Sequence, residues 1–131
     1  MRILTAIGAL CLLAAGGAAI ASEDAPAEHM QWMKDLGNQM GALRKGIDVE
    51  KNANDMQATL KHVSVFWKAR HAEDALAACR QSTDGAAAVA KAAAANDKPA
   101  ISAGLRDVGA GCKGCHDTHR ERVSDKVYKI K

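Results

Sequence analysis

Apolar residues recur every three or four positions along most of this chain, the spacing of one face of an α-helix. From Ala27 to about Gly46 the stripe is Met30, Met33, Leu36, Met40, Leu43 and Ile47. A second segment follows Asp48, an N-cap residue type, and runs to about Lys61 or His62 with Val49, Ala53, Met56 and Leu60 inward. Ser64 is the expected cap of a third, Val65 to Ala95, in which Asp84-Gly85 marks a kink or break. Asn96-Asp97-Lys98-Pro99 separates it from a fourth, about Ala100 to Ser124, with Asp97 as cap and Pro99 in the first turn. A tail, Val127 to Lys131, follows. Alternating strand runs are absent, so the fold class is all-α. Four amphipathic helices with short connections bury their stripes most simply as an antiparallel bundle.

The start of the chain is different. Arg2, the apolar stretch Ile3 to Ile20 and the small-x-small triplet Ala19-Ile20-Ala21 read as a secretory signal peptide over residues 1–21. A membrane anchor is the competing reading, since about 18 apolar residues lie near the lower limit for a span. The Ala/Gly richness and the cleavage triplet favour removal, which places residues 22–131 outside the cytoplasm as a single domain. Removing Arg2 leaves 17 basic against 15 acidic residues, a formal +2. That balance points to no charged partner. With Trp32, Phe66, Trp67 and Tyr128 the only aromatics and no concentrated basic face, nucleic-acid binding is not expected.

The chemistry lies near the end of the fourth segment, in Cys112-Lys113-Gly114-Cys115-His116. C-x-x-C-H is the attachment pattern of c-type haem. On a helix, positions three and four apart share a face, so two sulfurs and one imidazole converge on one porphyrin. The sulfurs would add to the haem vinyl groups and His116 would serve as axial iron ligand. Gly109, Gly111 and Gly114 leave a small-residue surface beside them. A zinc half-site would need a second ligand pair that the sequence lacks. A thioredoxin-like dithiol would need a preceding strand, and a disulfide would leave His116 accidental.

These residues resemble class II c-type cytochromes, the cytochrome c′ family and its low-spin relatives. The resemblance rests on a haem motif near the C-terminus, Cys115-His116-x-x-x-Arg120, Trp67-x-x-Arg70, Asp84-Gly85-Ala86 and Met33-Lys34-Asp35. It implies an up-down-up-down four-helix bundle over residues 22–131 with one covalent haem c. It also implies Met33 as the second axial ligand, the position of a first-helix methionine in low-spin members. A methionine stripe is otherwise core packing. His29 stands where many members carry an arginine near the propionates, and the stretch between the second and third helices is shorter than usual. Arg120, one turn past His116, is a candidate haem contact or a plain surface charge, and Arg70 has the same two readings. Cys79 is left over as a small buried apolar residue, while His62, His71 and His119 read as solvated or hydrogen-bonded surface groups.

The leading expectation is a periplasmic electron-transfer protein rather than an enzyme, with an unidentified redox partner. Members of the family are often dimeric through their first two helices, so a homodimer is an expectation of the same kind. The alternatives are a five-coordinate protein that binds nitric oxide or carbon monoxide, and a thiol-disulfide oxidoreductase using free Cys112 and Cys115.

Overall fold

The structure, a computed structural model, describes residues 22–131, so the expected signal peptide lies outside the described residues. Four helices, α1 (Ala27–Arg44), α2 (Val49–Ala69), α3 (Glu73–Ala94) and α4 (Lys98–His119), are joined by turns of three or four residues. Such short turns force neighbours to run antiparallel, and α1 packs along α2, α2 along α3 and α3 along α4. The chain is an antiparallel four-helix bundle. Its core includes Leu43, Met56, Val89 and Val108, each at most 2% exposed. Burying a side chain of this size contributes about 1.5–3 kcal/mol.

The first three helices stop in the same way. In each, two backbone N–H groups turn back to carbonyls of the last turn, Gly46 to Leu43 and Ile47 to Ala42, His71 to Lys68 and Ala72 to Trp67, Asn96 to Ala93 and Asp97 to Ala92. This is the Schellman arrangement, and its pivot must be left-handed. Gly46, His71 and Asn96 have φ of 69°, 54° and 54°.

The expected break near Ser64 is therefore absent. Val63, Phe66 and Trp67 continue the buried stripe of Ala53, Met56 and Leu60, and no Gly or Pro interrupts it. Trp67-x-x-Arg70 closes α2 instead of opening α3. Asp48 occupies the N-cap of α2 with φ 41° but its side chain makes no capping bond, whereas Asp97 accepts from the Ala100 N–H at 3.0 Å.

Asp84-Gly85 breaks nothing. Gly85 lies within α3, where an added Cβ would meet Val108 N at 2.8 Å and the Gly104 carbonyl at 2.9 Å. The same holds at Gly111, whose Cβ would lie 2.3 Å from Ser82 Oγ and 2.5 Å from the Ala78 carbonyl. Glycine at these positions lets α3 and α4 touch along their backbones. Gly111 thus serves helix packing rather than forming a free surface.

The tail also departs from expectation. Helix α4 stops at His119, and Arg120–Arg122 (β2) turns back to Tyr128–Ile130 (β3), which pairs on its other side with Glu23–Asp24 (β1). Ile130 registers with both Glu23 and Arg120. It is 3% exposed and joins the core.

Candidate cofactor site

A cavity of about 760 Å³ opens among the four helices and is closed at one end by the tail, within the usual ~300–1,000 Å³ of cofactor sites. Cys112, Cys115 and His116 line it from α4, Met33, Leu36 and Met40 from α1, and Met56, Leu60 and Val63 from α2. Helix α3 contributes Cys79 and Ser82, and the tail contributes Tyr128 and Ile130. The structure thus brings together Cys112, Cys115, His116 and Met33 around one space with mostly apolar walls, and Arg120 reaches its rim.

Burial favours the neutral forms of Cys115 and His116. Burial pushes the Cys115 thiol up to about 12, with the charges of Cys79, Asp74 and Cys112 acting in the same direction. Burial likewise raises Cys79. His116 is lowered first by burial and then by the Arg120 charge, against a smaller opposing effect of Asp117. A neutral imidazole has a lone pair to give a metal. Cys79, Cys112 and Cys115 are all free thiols, and Cys79 is buried as the sequence suggested.

His29, one turn before Met33, is only 4% exposed. Its Nδ1 lies 3.2 Å from the Tyr128 hydroxyl, and its ring packs on Phe66 with centroids 4.6 Å apart. Nε2 is buried without a partner. Its pKa falls to about 4, through burial first and the charges of Arg70 and His116 second.

Arg120 places its guanidinium 5.4 Å from the Tyr128 ring centroid. Arg70 is already engaged, 2.7 Å from Glu23 and 3.7 Å from the Phe66 ring centroid. That leaves it at the sheet end, away from the large cavity. His62 is exposed and stacks on Trp32, and His71 is exposed at its turn. His119 is hydrogen-bonded rather than solvated, and only partly exposed. It lies 2.8 Å from Asp74 and 3.0 Å from the Lys131 carbonyl, against the ring of Trp67, and so ties α4 to α3 and to the end of the tail.

Sequence reasoning overlooked Ser82, Tyr128 and Ile130. Ser82 sits on the buried stripe of Ala75, Cys79, Ala86 and Val89, where one small polar residue among small apolar ones is an easily missed signal, and the two tail residues gain meaning only from strand pairing.

Among the described residues no group of three or more His, Cys, Asp or Glu could hold a metal ion by itself, so the zinc reading finds no ligand set. The donors fit a haem instead. Two thiols and an imidazole share one helical face on an apolar cavity, with a thioether on the facing helix. An antiparallel bundle with C-x-x-C-H at the end of its last helix defines a class II c-type cytochrome. A family model described as Cytochrome C' matches residues 64–120, which supports a haem-binding class II c-type cytochrome. The match covers the end of α2, all of α3 and α4, and Arg120, and leaves α1 with Met33 outside it. Searches of curated proteins and of solved structures found no match.

Proposed function

We propose that the protein is an exported electron carrier, periplasmic once residues 1–21 are removed. Its haem c is attached through Cys112 and Cys115, with His116 and Met33 as axial iron ligands. The observation that supports this reading is the placement of His116 on α4 and Met33 on α1 around the same cavity. When bound, haem supplies one-electron ferric/ferrous chemistry, with a potential set by axial ligands, burial and nearby charge.

The residues of the chain account for the rest. Cys112 and Cys115 supply the sulfurs and hydrogens that thioether formation needs. His116, kept neutral by burial, offers its lone pair. The apolar walls exclude water and hold solvation changes small between oxidation states. With both axial positions filled by protein, no site remains for a substrate, which suits exchange of electrons with a redox partner protein over catalysis.

Met33→Ala tests the axial pair. The ferric protein should show the near-red sulfur-to-iron charge-transfer band, and the variant should lose it. Absence of that band from the wild type would defeat Met33 ligation. Leu36 and Met40 make the distal wall apolar, which favours a second reading, gas binding at a five-coordinate iron. Rapid carbon monoxide uptake by the reduced wild type would select that reading. Haem that remains with the chain through denaturing electrophoresis would exclude a dithiol oxidoreductase, because both thiols would be consumed.

A further inference from the structure

One polar side chain in the cavity wall has no part in the axial pair or in C-x-x-C-H. Ser82 on α3 is 2% exposed. Its Oγ donates to the Val108 carbonyl at 3.2 Å and lies 3.7 Å from Cys112 Sγ. A serine hydroxyl has one hydrogen to give. With that hydrogen on the Val108 carbonyl, the contact with Cys112 uses an oxygen lone pair, and the thiol S–H is the donor.

Val108 precedes Cys112 by four residues, so its carbonyl also receives the Cys112 backbone N–H in the helix. Ser82 therefore grips one turn of α4 at both its backbone and its sulfur. It cannot drift, because Gly111 brings the helices into contact at that level, 2.3 Å separating Ser82 Oγ from where a Cβ would stand. No comparable hydroxyl reaches Cys115 among the described residues.

We propose that Ser82 is the positioning residue for haem attachment at Cys112, holding that thiol in the rotamer from which it meets its vinyl group. The inference rests on the attachment reading above. In the step itself the S–H adds across the vinyl double bond. A carbon–sulfur bond forms at one vinyl carbon and the hydrogen passes to the other, so no oxidant or reductant is required. The hydrogen bond to Ser82 restrains the thiol before this addition and is released as the hydrogen leaves.

The test counts free thiols in holoprotein matured in a host with haem-attachment machinery, alkylated after denaturation. Wild-type mature chain should take one label, on Cys79. Ser82→Ala should give roughly fivefold more chains with a second label, mapped to Cys112, the effect of losing one hydrogen bond's bias. Its pyridine haemochrome band should shift toward that of a haem retaining one vinyl group. Ser82→Thr, which keeps the hydroxyl, should restore double attachment. Thr83→Ala should behave as wild type, since Thr83 donates to the Cys79 carbonyl at 2.8 Å without touching Cys112. If Ser82→Ala yields no pigment while Ser82→Thr is doubly attached, the role stands.

Full double attachment in Ser82→Ala overturns the role of Ser82 alone. Single attachment in Ser82→Thr does the same, by showing that the hydroxyl is not what matters. A wild-type chain labelled on Cys112 and Cys115 and free of haem overturns the attachment reading and the Ser82 role with it.

Discussion

Helix α4 meets its surroundings in two opposite ways. Toward α3 it has Gly104 and Gly111, and there helix touches helix so closely that a single methyl would overlap Val89, Ser82 or a carbonyl. Toward the cavity it has Cys112, Cys115 and His116, facing the long flexible side chains of Met33 and Met40. Polar groups divide along the same line. Ser82, at the tight contact, is hydrogen-bonded, while His29 Nε2 and Trp67 Nε1, beside the cavity, are buried without partners. One face of the helix is a rigid mount and the other an adaptable wall. Close-packed interfaces resist added volume, whereas methionine adjusts to what it surrounds.

The contrast can be broken most forcefully at Gly111. Gly111→Val should lower stability by about 3 kcal/mol through overpacking, read as a drop in the denaturant midpoint. A midpoint equal to wild type would mean that the helices can separate and that the mount is not rigid.

A smaller effect belongs to the adaptable side. His29 is held neutral, its pKa lowered from 6.5 to about 4 by burial and by Arg70 and His116. The unfolded chain binds more protons between those two values, so stability rises with pH across that window. It is complete above about 6.5 and is lost as the pH falls toward 4. The expected span is about 1–3 kcal/mol. His116, also lowered by burial, acts in the same sense until a metal takes its lone pair. His29→Phe should flatten the profile of denaturant midpoint against pH, and an unchanged slope would assign it to other groups.

The smallest effect sharpens the comparison from outside both regions. Gly41 in α1 has nothing within 4 Å of an added Cβ. Gly41→Ala should therefore stabilise by about 0.5–1 kcal/mol, the helix-propensity gain alone, with no change in the haem spectrum. A loss of stability would show that α1 also needs close approach.

Much of this was legible because residue type and role coincided. Gly46 and Asn96 are residues that favour left-handed backbone, so the ends of α1 and α3 could be read from composition. His71 does the same work with a side chain that gives little signal, at a conformational cost of about 1–2 kcal/mol, and the second boundary was misplaced toward Ser64. Gly85 carries the opposite lesson. A glycine beside an aspartate looks like a turn, but here it marks where another backbone passes, which only the packing of α4 reveals. The motif residues were legible since three chemistries at fixed spacing need one helical face. The tail was not, because strands of two and three residues are too short to show a period.

The pairing of β3 between β1 and β2 has a practical corollary. Residues 23–24, next to the expected cleavage point, and residues 128–130 are laced into one seam. Trimming residues 23–24 strips an edge from that seam, while losing residues 128–130 dissolves it entirely and removes Tyr128 and Ile130 from the cavity's end wall. Truncated or tagged versions should therefore treat the two extremities as a single joint.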